Sequence, residues 1–403
     1  MWSNRYVRTI FLSRVLLHLG IWIRNYAVLL YVTDLTNNNP VDVSLISAAE
    51  FAPIFLFALI GGTFADRWQP KRTMVWSDRL SALSVVAVLV ALIYGGWVAL
   101  LVGSFVSASL SQFSQPSAMK LYKQHVPGEQ LQRVMAMYQT LVAIFTVLGP
   151  LVGTFIFIQL GIHTSLVITA IMFFCSSMIL ATLPRDVEEK RSEASSSFFQ
   201  ELKAGMRYIA SNPTLRTLGI TFAVVGLASG VTQPLQIFVV MEQLGQDKSF
   251  LQWFVMSSGA AMLAGGAILM SAAKKVRPQL MLMFGLLVTA VCTVAIGAST
   301  MIWLSIVLVV ISGLVYPFIQ GGIQTLLVRN TEMAFMGRVS GAIMPIFMGM
   351  MVLGMFLSGI LKKAFSLLAV YELSGVMIVI GALLLLPLVK AKKKKPENQA
   401  AVG

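Results

Sequence analysis

Gly61-Gly62-Thr63-Phe64-Ala65-Asp66-Arg67-Trp68-Gln69-Pro70-Lys71-Arg72 sets one acid and three bases between two apolar runs, at 44–65 and 73–95. Each run has close to the ~20 residues that cross a bilayer core as a helix. A charged turn joining two such runs reads as a hairpin of membrane helices with its turn in water. Outward from this hairpin the same alternation continues. Twelve apolar runs are present, at 8–33, 44–65, 73–95, 97–120, 133–158, 162–183, 214–240, 250–273, 279–299, 302–327, 336–361 and 365–389. Of the 403 residues, 57% are hydrophobic and only 11% charged, whereas soluble domains carry about a quarter charged residues. Such a chain cannot cover itself with polar groups in water, which excludes a soluble multidomain enzyme. The expected fold is all-α, an integral membrane protein of twelve transmembrane helices in two six-helix halves. The first run is too long for a signal-peptide core, carries internal charges and lacks a small-residue cleavage site, so it reads as a retained helix.

Thirty Lys and Arg against sixteen Asp and Glu give a net charge of +14, and the placement of the bases decides its meaning. Threaded through twelve spans, 25 of the 30 fall on one side, three (Lys248, Lys362, Lys363) on the other, and two (Arg14, Arg24) inside the first helix. By the positive-inside bias the crowded side is cytoplasmic and both termini lie there. The charge therefore reports topology, and no nucleic-acid partner is expected. The partner that these runs imply is the lipid bilayer. Two cysteines and three histidines leave no disulfide scaffold, metal centre or cofactor to expect.

Residues 184–213 form the one long polar stretch. In it Phe198, Phe199, Leu202, Met206 and Ile209 recur at helical spacing, opposite Gln200, Glu201, Lys203 and Arg207. This predicts a short amphipathic helix lying on the cytoplasmic membrane surface, ended by Asn212-Pro213. The stretch divides the chain into bundles at 1–183 and 214–389, with a basic tail at 390–403. The bundles repeat one another. Gly61-Gly62 is matched by Gly265-Gly266, itself followed by Lys274, Lys275 and Arg277, and Arg133-Val134 by Arg338-Val339, at offsets of 204 and 205. Two related six-helix bundles bury one interface at mid-membrane, and rocking one against the other exposes it to each side in turn.

At these residues the chain resembles the major facilitator superfamily, whose loop motif G-x-x-x-D-R-x-G-R-R/K appears as Gly62, Asp66, Arg67 and Lys71, with Gln69 and Pro70 departing from it. The resemblance implies a conformational latch in which Asp66 faces the positive end of helix eleven, tuned by Arg67, Lys71 and Arg72. Gly149-Pro150-x-x-Gly153 is similar to the family's antiporter motif, and implies a smooth, kinked face against which the opposite half closes. Helix four holds no arginine, unlike many of the family's drug exporters. The pattern, with Asp34-Leu35-Thr36 after helix one, is most similar to macrolide-efflux-type bacterial exporters. The resemblance implies proton antiport of hydrophobic drugs, with a small-molecule substrate and protons as partners, by a monomer in a bacterial inner membrane. Export of a siderophore or lipid-like metabolite, or a receptor role without transport, are the alternatives.

Ionisable groups inside a membrane need a partner or a task. Arg24 lies roughly 13 Å from the end of helix one, and Glu50 roughly 9 Å into helix two, at 1.5 Å per residue. They are therefore expected within reach of each other. Two readings stand: Glu50 carries the exchanged proton, tuned by Arg24, or the pair is permanently ionised and locks the two helices. Asp78 and Glu372 are further proton-coupling candidates. Asp78 is expected near the cytoplasmic surface beside a loop base, and Glu372 near Lys362, Lys363 or the interface. Arg14 and His18, one helical turn apart, either bind an anion or hold a helix contact. His125 and His163 fall in loops. By family analogy the cavity is built from helices one, four, seven and ten, with Arg14, His18, Trp22, Asn25, Tyr26, Gln112, Gln115, Gln233, Gln236, Tyr316 and Gln320 as candidate lining. An aromatic lining in a chain with 23 methionines suits amphipathic or cationic organic molecules. No H-E-x-x-H, G-x-S-x-G or nucleotide-binding Gly-Lys-Ser/Thr motif is present, so neither an enzyme nor an ATP-driven pump is expected.

Overall fold

A computed structural model describes residues 4–65, 68–94, 96–184, 198–272 and 276–390. Asp66, Arg67, Lys274, Lys275, most of the polar stretch and the basic tail lie outside the described residues. Among the described residues every regular element is helical. The first four helices are α1 (Arg5–Leu35), α2 (Pro40–Ala65), α3 (Pro70–Ile93) and α4 (Val98–His125). A helical stretch Gly128–Ala181 of 54 residues follows, broken at Gly161 (φ 74°, ψ −179°). That φ favours glycine, and it separates α5 (128–160) from α6 (162–181).

Contacts with α1 show that these two run in opposite directions. Ser176 donates to the Ser13 carbonyl (3.1 Å) and Thr169 to that of Gly20 (3.4 Å), so α6 descends as α1 rises. Gly149 meets Trp22 and Gly153 meets Tyr26, so α5 rises with α1. After the linker helix Phe198–Ser211 come α7 (Pro213–Thr232), α8 (Leu251–Ala272), α9 (Pro278–Ala298), α10 (Ile302–Asn330), α11 (Met336–Ala364) and α12 (Leu367–Leu383). Counted with the break at Gly161, the eleven helical segments long and apolar enough to span a bilayer make the twelve expected crossings. Large apolar side chains such as Leu83, Ile93, Val102, Phe155 and Val291 stand exposed around the bundle, as lipid contact requires.

The two halves are packed alike. In the first, α1 packs on the α5–α6 hairpin, α3 on α4 and on that hairpin, and α2 on α4. In the second, α7 packs on α11 and α12, α9 on α10 and α12, and α8 on α10. The repeat extends to single atoms. Asn4 caps α1, accepting from the amides of Tyr6 and Val7, while its side-chain amide donates to the carbonyl of His125, the last residue of α4 (2.8 Å). Asn212 caps α7, accepting from Thr214 and Leu215, while its amide donates to the carbonyl of Asn330, the last residue of α10 (3.3 Å). Each asparagine satisfies orphan groups at two helix ends at once. Val134 and Val339, partners in the sequence repeat, are both fully buried, each following an exposed arginine.

The halves meet along α2–α11 and α5–α8. The first half supplies bulk and the second supplies room: a Cβ at Gly349 would stand 2.7 Å from the Phe55 ring, one at Gly359 would strike the Pro40–Val41 backbone, and one at Gly259 would stand 3.3 Å from Val147. Within the second half, Gly230 of α7 lies against the Met351 backbone of α11. Gly230→Leu is expected to lower stability by about 1–3 kcal/mol or more through overpacking, seen as a lower unfolding temperature in detergent.

The amphipathic linker helix forms, and part of its apolar stripe packs on protein. Leu202, Tyr208 and Ile209 pack into the core of the second half, Tyr208 stacks on Phe335 at 4.5 Å, and Gly205 sits against the Arg338 carbonyl. Docking on α11 thus covers Leu202 and Ile209 with protein, while Met206 stays exposed. His125 is no loop residue: it ends α4 and stacks on Tyr6 at 3.7 Å.

Candidate functional site

Asn39 caps α2, accepting from the Val41 amide (3.3 Å) and donating to Asp42 (2.7 Å). Ten residues after Pro40, the first of α2, comes Glu50, about 15 Å along the helix. Pro53, three residues further, cannot donate to the Ala49 carbonyl, so the helix is weakened beside the acid. Glu50 is partly exposed, and its Oε1 is buried with no hydrogen-bond partner. An unpaired buried carboxylate oxygen is costly, which marks this position out from every other acid in the bundle.

The expected contact between Arg24 and Glu50 is not made. The guanidinium of Arg24 donates to Asn25 Oδ1 (3.1 and 2.8 Å) and to the Ser107 hydroxyl of α4. Its donors are thereby turned to short polar side chains rather than to Glu50. An arginine does reach helix four, but it comes from α1.

Asp78 is not near the surface beside a loop base, as expected; it is 1% exposed. Eight residues into α3, it points where four helices converge. Its Oδ2 accepts from Ser176 (2.6 Å) and its Oδ1 from Ser114 (3.4 Å). Arg14, 2% exposed, donates to the Ser114 hydroxyl (2.9 Å) and carbonyl (2.8 Å) and leaves its Nε unpartnered. This network joins α1, α3, α4 and α6 of one half. Enclosed by its own half, Asp78 sees neither membrane face, which suits a fixed joint rather than a carrier.

Of the other candidates, His18, Trp22 and Tyr26 rise along α1 at successive turns. His18 stacks on Phe145 of α5 (5.7 Å), and Trp22 leans on Tyr26 (5.9 Å). The Gly149-Pro150-x-x-Gly153 face meets these rings rather than the opposite half: a Cβ at Gly153 would lie 2.6 Å from the Trp22 carbonyl. The correction is one helical turn in size, because Thr146 and Val147, just before it, are what touch α8. Gln233 stands where α7 tightens into a 3-10 turn (Gln233–Leu235), with its Oε1 buried and unpartnered. Gln320 donates to Tyr316 within α10 (2.8 Å). Gln112 is half-buried, and Gln115 and Gln236 are exposed. Glu372 is exposed and does not meet Lys362, which pairs instead with Glu242 (2.7 Å). In the expected latch, Gly62 lies in α2, and Lys71 donates to the Leu183 carbonyl at the end of α6.

The face opposite the basic loops is sealed. Tyr26 and Val43 from the first half and Val231, Phe238, Phe254 and Tyr371 from the second form one buried cluster. Lys248 pairs with Asp34 across the halves, its ammonium 5.6 Å from the Phe157 ring, and Ser358 bonds Ser44 at 2.8 Å. At the basic face, by contrast, the buried clusters among the described residues are drawn from one half each. Neither cross-half bond was foreseen, because only the two bundles brought together place Asp34 beside Lys248. Lys248→Gln is expected to raise, several-fold, the labelling of a cysteine placed at Val43 by an impermeant maleimide added at the sealed face.

Comparison with known proteins agrees with this architecture. The chain is 26% identical to the multidrug efflux pump Tap of Mycolicibacterium fortuitum over 86% of its length and 87% of the relative's. It is 22% identical to macrolide efflux protein A of Streptococcus pyogenes over 88% of each. Among solved structures, the nucleoside transporter NupG superposes with a TM-score of 0.78 at 13% identity, covering 96% of this chain and 100% of that one. The profile of the Major Facilitator Superfamily matches residues 10–351 and, a second time, 218–403. With twelve membrane helices, two matching halves and this profile along its length, the chain belongs to the Major Facilitator Superfamily of transporters.

Proposed function

We propose that this transporter exports hydrophobic or amphipathic small molecules, macrolide-like drugs among them, in exchange for protons. Its basic face and both termini lie in the cytoplasm of a bacterial cell, and it works as a monomer. The bundles 1–183 and 214–389 are the bodies that rock, 184–213 tethers them and 390–403 is a cytoplasmic tail. The names of the relatives support drug export. The unpaired oxygen of Glu50 carries the proton part of the reading. A carboxyl with no fixed partner exchanges a proton without breaking a structural bond. The sealed cluster stands between Glu50 and the opposite face, so in this state the acid opens toward the basic side. When the halves rock, it opens to the other side, takes up a proton and releases substrate. His18, Trp22 and Tyr26 of α1, with Gln233 of α7, offer substrate an aromatic wall with few fixed hydrogen bonds.

The test is transport by the purified protein in liposomes, using a macrolide and, separately, a lipophilic amine. Accumulation is expected only under an imposed pH gradient and is lost with a protonophore. Equal flux with the gradient collapsed would exclude proton coupling. Absence of flux for either compound under any gradient would exclude drug export.

A further inference from the structure

Arg72, Trp76 and Arg79 lie on one stripe of α3, at i, i+4 and i+7, spacings that share a helix face. The stripe looks outward: Trp76 is 49% exposed, and beyond Arg79 it continues through Leu83 (63% exposed), Val86, Val90 and Ile93. Those side chains are lipid contacts, so Arg79 stands at the edge of hydrocarbon. Its neighbour Asp78 is turned into the bundle toward Ser114 and Ser176, and no carboxylate of the described residues lies within the 4.0 Å of an ion pair from it. The guanidinium carbon sits 5.8 Å from the Trp76 ring centroid, one turn nearer the basic face. Two effects direct it there. Helical side chains lean toward the N-terminus, which for α3 is the basic end, and an arginine in hydrocarbon snorkels to the headgroup level.

We infer that this stripe seats the phosphate of an anionic phospholipid from the leaflet at the basic face. The planar fork of Arg79 donates to phosphate oxygens, and Trp76 forms the floor of the seat at the depth where indoles collect. Arg72, a turn closer to water, adds the second charge that favours an anionic over a zwitterionic headgroup. One acyl chain follows Leu83, Val86 and Val90. The inference is independent of what the transporter carries.

The experiment uses the full-length protein in detergent with added phosphatidylglycerol or phosphatidylcholine. It reads retained lipid by native mass spectrometry and the unfolding temperature in parallel. The wild type is expected to retain phosphatidylglycerol several-fold over phosphatidylcholine and to gain more thermal stability from it. Arg72→Gln with Arg79→Gln removes most of that preference, Arg79→Lys keeps part of it, and Lys363→Gln at the opposite face leaves it intact. Glycerol 3-phosphate at equal concentration has no effect. Equal retention of the two lipids by the wild type, an unchanged preference in the double variant, or equal stabilisation by glycerol 3-phosphate would each overturn the assignment.

Discussion

Glu50→Gln is expected to reduce pH-gradient-driven accumulation in liposomes to the level of protein-free vesicles, while the protein purifies and unfolds as the wild type does. The amide has the shape of the acid and cannot bind or release a proton. Because Glu50 Oε1 holds no hydrogen bond, the substitution removes no structural contact, and the neutral amide costs no more to bury than the carboxylate did. Downhill flux of substrate, which needs only rocking, persists. Arg24→Gln gives the complementary result. It breaks the bonds to Asn25 and Ser107 and lowers the unfolding temperature in detergent. Full gradient-driven transport by Glu50→Gln would remove the acid from the mechanism.

Asp78→Leu is expected to cost about 3–5 kcal/mol, because it removes the buried charge that faces Arg14 across the bridging Ser114 hydroxyl, without a direct ion pair between the two. The change strands Arg14, which is 2% exposed and already has one unpartnered nitrogen. Arg14→Met together with Asp78→Leu restores most of that loss, because no buried charge remains and Ser114 and Ser176 can turn to their own helix carbonyls. Thermal unfolding in detergent reads both variants. The double variant retains gradient-driven transport if the network is a joint between helices. A double variant as unstable as the single one would show that the two charges are not coupled. A stable double variant without proton coupling would move the carrier from Glu50 to Asp78.

Much of the fold was legible because the bilayer dictates it: run length, the bias of the basic residues and the paired offsets give twelve helices in two halves. The α5–α6 boundary was legible too, since an apolar stretch too long for one crossing contains a glycine at the right place. What a helix touches was less legible. The linker helix was legible from its periodicity, but the packing of Leu202, Tyr208 and Ile209 on the second half was not, because an amphipathic stripe does not distinguish lipid from the end of α11. Glu50 stood out as a charge in an apolar run. The partner of Arg24 did not, because asparagine and serine are unremarkable in sequence and only the α1–α4 packing puts Ser107 opposite the guanidinium. Asp78 was misplaced for the same reason: four helices converge around it, and its serine partners come from α4 and α6. The caps at Asn4 and Asn212 carry a readable signal, an asparagine before each half's first helix, which had meaning only once α4 and α10 were seen to end beside them.

Among the described residues, the glycines that meet the opposite half all come from one side. Shifted back by the repeat offset, Gly349 and Gly359 correspond to Ile144 and Thr154, and Gly259 to Ile54 or its neighbour Phe55. A protein assembled from two copies of the N-terminal bundle would press side chain against side chain along both seams, and two C-terminal copies would leave hollows there. Whatever ancestral pairing of identical units preceded the duplication has since become a plug and its socket, and neither half can now substitute for the other.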